Sequence, residues 1–214
     1  MATLFVDKVD PQSGTALEIG SSGDTITVPS GATFNVAGTA GTGFGLIKLS
    51  SATASTSASL SFNLDITNYD SFLLTGYKVT PVTDGAEPYL YFSEDSGSSY
   101  LTADFYSGRT YIRLTGSAAG GNEQNTIAGA VQLGTDLGND GPGSFQAWLP
   151  GMSAAYSGGN KFCNATYTAK HNTNDYTWDT GFIVIGNNAI NNVKFQMSTG
   201  NISTGVLTLY GLVK

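Results

Sequence analysis

The residues of this sequence best suited to chemistry are its carboxylates, and most of them stand in turns. Two Asp or Glu side chains that face each other across a cleft are sufficient for glycoside hydrolysis. The candidates are Glu94, Asp95, Asp104, Asp136, Asp140, Asp175 and Asp179. Nearly all of them adjoin Gly, Ser or Asn, where an Asp side chain commonly hydrogen-bonds the nearby backbone. This context favours turn formation over catalysis, so we predict no catalytic residue and no enzyme.

Metal binding and nucleophilic catalysis have equally little support in the sequence. Asp136 and Asp140, in the loop at 134–143, have oxygens that suit Ca²⁺, but the ordered spacing of a calcium loop is absent. His171 is the only histidine and lies in a polar segment, while Cys163 follows Phe162 in KFCNATY as a buried or half-buried strand cysteine would. We therefore predict no metal ligand, no cofactor and no intrachain disulfide.

Aromatic residues between 148 and 178 form a different kind of candidate site. They are Trp148, Tyr156, Tyr167, Tyr176 and Trp178, set among Gly, Asn, Ser and Asp. Rings flanked by short polar side chains suit stacking on sugars or contact with another protein. We expect Trp148 and Tyr167 in the core. Exposure is expected for Tyr156, Tyr176 and Trp178, which are the predicted contacts to a receptor glycan.

Charge limits the classes of partner. Charged residues make up 12% of the 214 residues, about half the usual fraction of roughly 25%. Nine Lys and Arg against 16 Asp and Glu give a net charge of −7, which excludes nucleic-acid binding through phosphate neutralisation. The first residues lack the basic and apolar regions of a secretory signal, and no stretch approaches the ~20 apolar residues of a membrane span. We predict neither secretory export nor membrane insertion.

A short repeat occupies the N-terminal part of the chain. Its apolar residues recur in pairs, Leu17 and Ile19, Ile26 and Val28, and Phe34 and Val36, with Ser-Gly turns between the pairs. Units this short cannot bury an apolar face without neighbours to cover it. Between Thr25 and Leu64 the only charged residue is Lys48, and interface cores are poor in charge. These six apolar residues are therefore the predicted interface of an intertwined trimer, the alternative being three ordinary strands folded onto the rest of the chain.

The remainder of the chain is typical of an antiparallel β protein. Segments such as SLSFNLDI, PYLYF and FIVIG alternate apolar and polar residues and are separated by Gly, Asp, Asn, Ser or Pro. We predict an all-β chain with an N-terminal β assembly module at 1–49. A Ser/Thr/Ala-rich segment at 50–59 follows, as a linker or an extended edge segment, and then a β-sandwich resembling a jelly roll at 60–214.

Several stretches resemble virion proteins of bacteriophages, particularly tail-fibre and head-decoration proteins of marine and cyanobacterial phages. The stretches are VDKVDPQSGTALEIGSSGDTITVPSGATFNVAG near the start, YDSFLL at 69–74, YLYFSEDSGSSY at 89–100 and the closing NISTGVLTLYGLVK. The resemblance implies a trimeric structural protein on the surface of the virion, either a short fibre or a capsid decoration (cement) protein, whose module at 1–49 is intertwined or docks on the capsid. Its expected partners are two further chains and the major capsid protein or tail proteins. The alternatives are a carbohydrate-binding module that recognises a host-surface glycan, and a spike that cleaves polysaccharide.

Overall fold

The computed structural model describes residues 45–102, 104–114, 120–135, 137–154, 160–171, 174–185 and 188–213, which belong to one compact unit, Gly41–Lys214. This part of the chain contains twelve strands and no helix, hence no helix that would cross a membrane. The strands are β1 (Leu46–Ser57), β2 (Ser59–Asn63), β3 (Tyr69–Pro81), β4 (Pro88–Ser93), β5 (Asp104–Arg113), β6 (Gly120–Ala128), β7 (Val131–Gln132), β8 (Gly143–Leu149), β9 (Asn160–His171), β10 (Asn174–Ile185), β11 (Asn192–Met197) and β12 (Ile202–Val213). The six predicted interface residues between Leu17 and Val36 lie outside the described residues.

The described strands form two antiparallel sheets. The larger sheet has the order β1-β12-β3-β8-β9-β10-β5-β6, and the smaller one has the order β2-β11-β4-β7. Apolar residues alternate along the strands and point into a single core between the sheets. Phe145 of the larger sheet stacks on Phe195 of the smaller one, with ring centroids 5.1 Å apart and planes 12° from parallel. The prediction of an all-β sandwich is confirmed.

The polar segment at 50–59 is an edge of this sandwich. Residues 46–57 form β1, which pairs with β12 from Leu46 opposite Leu212 to Ser57 opposite Ile202. Small apolar side chains alternate with Ser and Thr here, and Ala54 is buried in the core. Such a strand can form because its backbone groups gain partners and its small side chains fit a half-buried surface. Residues 50–57, predicted as a linker or an extended edge segment, therefore lie in an edge strand of the larger sheet, and the described part of the sandwich includes Leu46–Ser57.

Candidate functional site

The predicted glycan contacts do not form an exposed aromatic group. Trp178 is 2% exposed, with its ring between those of Tyr167 at 5.8 Å and Tyr176 at 5.4 Å. Side chains alternate between the two faces of a strand, and in β10 Thr177 and Asp179 take the outward positions. The prediction that Trp178 is exposed is therefore wrong. Tyr176 is half-buried against Trp178, which also corrects its expected exposure, and Tyr156 lies outside the described residues.

Of the two aromatic residues expected in the core, Tyr167 points into the core and Trp148 points away from it. Tyr167 is 1% exposed, so its expected burial is confirmed. Trp148 is half-buried and points outward, because Phe145, Ala147 and Leu149 of the same strand take the inward positions. The alternation along β8 was the sequence pattern that could have identified Trp148 as the outward ring.

Glu94 and Asp95 use their carboxylate oxygens for structural hydrogen bonds. Asp95 accepts hydrogen bonds from the Ser99 hydroxyl (2.6 Å), the Ser99 amide (2.8 Å) and the Ser93 hydroxyl (2.7 Å). These bonds, those from Ser99 above all, lower the pKa of Asp95 to about 2. Glu94 accepts bonds from the backbone and side-chain amides of Asn188, at 3.2 and 2.7 Å. Asp95 therefore forms a turn as predicted, whereas Glu94 connects this turn to the distant segment at Asn188.

The remaining chemical candidates are dispersed. Asp140 forms an ion pair with Lys170 at 3.2 Å, and Asp136 lies outside the described residues. Cys163 is buried, as expected, and burial raises the pKa of its thiol to about 12, which keeps it protonated. His171 ends β9, and its side chain is not among those described. In the described part of the chain no three His, Cys, Asp or Glu side chains are grouped as metal ligands.

One polar row crosses the outward face of the larger sheet. One residue from each strand lies in register with the next, and we call the set the threonine row: Ser51, Thr208, Thr75, Gln146, Thr166, Asp179, Thr110 and Asn122. Its hydroxyls are joined in part by hydrogen bonds. Thr166 donates to Asp179 at 2.8 Å, and Thr110 donates to Asn122 at 3.0 Å. The row is therefore an ordered array of donors and acceptors on a rigid sheet.

Gln146 is the member of the row best placed to bind a ligand. Its side-chain amide makes no hydrogen bond to any other described residue, although it lies at the centre of the sheet. It lines an open hollow of about 290 Å³ together with Thr75, Ser144, Phe145, Thr166 and Thr168. A second hollow of about 520 Å³ shares Ser144 and Thr168 with the first. The two hollows therefore adjoin each other at Ser144 and Thr168.

Exposed aromatic rings and two glycines whose backbone is open to solvent lie beside the threonine row. In the adjacent row of cross-strand pairs, Trp148 is paired with Asn164 and Asn164 with Gly181. Gly181 is paired in turn with Gly108 on β5. Space above both glycines is open, since a Cβ added at either would meet no atom within 4 Å. The exposed rings on this sheet face are Tyr77, Tyr106 and Phe162, at 60%, 54% and 68% exposure. Hydroxyls, amides and rings with few charges are the groups that bind neutral sugars.

Comparisons with known protein families, with curated proteins and with solved structures found no match. Function is therefore inferred from the residues of this chain. Two features bear on it. One is the charge-poor N-terminal repeat, which leads into the edge strand β1, and the other is the polar outward face of the larger sheet.

Proposed function

We propose that this chain is a non-catalytic structural protein on the exterior of a bacteriophage particle, assembled as a homotrimer and serving as a short fibre or as capsid decoration. The N-terminal repeat and the closing strand, which resemble such proteins, support the role. The partners of the trimer are the major capsid protein or tail proteins. A net charge of −7 suits an outer surface better than a site on nucleic acid.

The observation that carries the assembly is the edge strand β1. Among the described residues it is paired on one side only, by β12. Natural sheets protect long edges with charges, bulges or short strands, because an unpaired edge is a template for another chain. β1 has twelve residues, one bulge after Lys48 and no other charge. Such an edge, directly after a repeat that needs neighbours, favours a chain whose strands are completed by other subunits.

The first prediction tests the trimer interface. Replacing Ile26 and Val28 together by Asp should convert the trimer to a monomer, because unpaired carboxylates would enter an apolar seam. Sedimentation velocity on the full chain measures the change. Replacing Thr25 and Thr27 together by Asp is the matched control, since it adds the same two charges at the alternate positions of the same predicted strand and should leave the trimer intact. Unchanged sedimentation of the variant at Ile26 and Val28 would show that these two residues are not at the interface.

A second candidate function is recognition of a host-surface glycan by the face of the larger sheet. The specific observation that favours it is the side-chain amide of Gln146, which no described residue bonds, in a hollow lined by hydroxyls, with Trp148 and Asn164 in the next row. A neutral sugar would take hydrogen bonds from these groups and stack on an exposed ring. This function is compatible with the structural role, because a fibre can both assemble and attach.

Gln146→Ala is expected to weaken binding of a neutral oligosaccharide about tenfold, the effect of losing one to two hydrogen bonds. Neutral oligosaccharides from bacterial surfaces, screened on an array, supply the ligand, and calorimetric titration measures the affinity. Asn160→Ala is the control, because Asn160 is exposed on β9 but lies six residues from Thr166, roughly 20 Å along the strand. Equal oligosaccharide affinities of wild type and Gln146→Ala would contradict binding at this face of the larger sheet. Failure of wild type to bind any oligosaccharide on the array would contradict it as well.

A further inference from the structure

On the outward face of the smaller sheet, we propose a second binding site, which takes the carboxylate of an acidic saccharide on the ammonium of Lys194 between the rings of Tyr91 and Tyr100. Lys194 of β11 faces Tyr91 of β4 in register, and both side chains point away from the core. The Nζ atom lies 4.3 Å from the centroid of the Tyr91 ring and 4.1 Å from that of Tyr100. We call these three residues the lysine-tyrosine site.

The site is held in place by contacts across three strands. The Tyr91 and Tyr100 rings meet edge to face at 6.2 Å. The Tyr100 hydroxyl donates to the Asn192 side-chain carbonyl at 3.3 Å and lies 3.3 Å from the Ser61 hydroxyl. Asn192 in turn donates to the Asn63 side chain at 2.8 Å. These bonds fix the rings before any ligand arrives, which lowers the entropic cost of binding.

Among the residues that the structure describes, the ammonium of Lys194 contacts two rings and has no counter-ion. No carboxylate among the described residues lies within ion-pairing distance of it, whereas Lys170 is paired with Asp140. The two rings remove part of its water, and this desolvation lowers the pKa of Lys194. Glu87, at the edge of the same face, is bonded to the Tyr89 hydroxyl at 2.6 Å. A partly dehydrated cation that has no carboxylate partner in the described part of the chain is a favourable place for an external anion, because the local ammonium outweighs the screened, more distant negative charges.

The surroundings of Lys194 indicate that this anion belongs to a sugar. A single lysine matches one carboxylate better than a polyphosphate, which binds clusters of Lys and Arg. The Tyr89 and Tyr91 rings meet edge to face at 6.4 Å beside the ammonium, and Gln196 is half-buried on the same strand face. Burial raises the pKa of the Tyr91 hydroxyl, so it stays a neutral hydrogen-bond donor at physiological pH. Rings, hydroxyls and an amide around one cation fit a uronic acid or a similar acidic sugar.

This site is separate from the threonine row, because the two lie on the outward faces of different sheets. It does not depend on the trimer or on a neutral glycan. The test of the lysine-tyrosine site can therefore fail while the proposed function stands. The proposed function can likewise fail while this site binds its ligand.

Calorimetric titration of the full chain with trigalacturonate and with its fully methyl-esterified form tests the inference. The two probes share a sugar skeleton, so a difference between them measures recognition of the carboxylate. We expect wild type to bind the free acid at least ten times more tightly than the ester. Lys194→Met should reduce affinity for the free acid at least tenfold, while Lys194→Arg should retain most of it.

Lys78→Met is the matched control, because Lys78 lies over the exposed Tyr77 ring at 5.3 Å on the other sheet. It should bind the free acid as wild type does. Equal affinity of wild type for acid and ester, no binding of either, or unchanged binding by Lys194→Met would each overturn the inference. The comparison of acid with ester uses wild type alone, so it decides the question even where a variant fails to fold.

Discussion

Replacing Trp178 by alanine should lower the free energy of unfolding by about 3–5 kcal/mol, the usual loss for a fully buried large aromatic residue. Trp178 is 2% exposed and stacks on Tyr176 with planes 27° apart. The Tyr167 ring on the paired strand also lies against it, with ring centroids 5.8 Å apart. Because the neighbouring rings belong to paired strands, they cannot collapse into the space left behind. A loss of this size is a large part of the stability of a typical domain.

Urea unfolding followed by circular dichroism measures this loss. Trp148→Ala is the matched control, since Trp148 is the same residue type but half-buried on the outward face, and we expect it to cost less than half as much. Glycan binding by the folded fraction of Trp178→Ala should match wild type. A change below about 1 kcal/mol, typical of exposed positions, would place the Trp178 ring outside the core.

Gly76→Ala is expected to destabilise the protein by about 1–3 kcal/mol through overpacking. A Cβ at this position would overlap the ring of Phe145. The ring cannot retreat, because it stacks on Phe195 across the sandwich at 5.1 Å. The added methyl group would therefore strain the contact that joins the two sheets.

Gly108→Ala and Gly181→Ala are the controls for this second prediction, measured in the same unfolding experiment. Both glycines lie in strands, as Gly76 does, but above each of them there is open space. They should leave stability within about 0.5 kcal/mol of wild type or raise it, because alanine has less conformational freedom in the unfolded chain. If Gly76→Ala were no more harmful than these two, the tight packing of Phe145 would be contradicted.

The sandwich could be predicted because alternating apolar residues are a local property of each strand. Burial of Tyr167 and Cys163 followed from the same pattern. The error at Trp178 arose from judging the ring by its polar neighbours, although Phe182 and Val184 continue its inward alternation along β10. At β1, polar composition obscured a strand whose partner, β12, is distant in sequence.

The threonine row and the lysine-tyrosine site could not be predicted from the sequence. Both depend on which strands are neighbours and on their register, and these are set by long-range pairing. Tyr91 and Lys194 meet only because β4 pairs with β11, and Tyr100 joins them only because the turn held by Asp95 brings it back over the sheet. Each of these residues is unremarkable in its own segment.

The proposed homotrimer is tested most directly by the molar mass of the full chain in solution. Sedimentation equilibrium at low micromolar concentration measures this mass independently of shape. We predict a single species of three times the 22.2 kDa chain mass. A single species with the mass of one chain would contradict the trimer and, with it, the proposed assembly on the phage exterior.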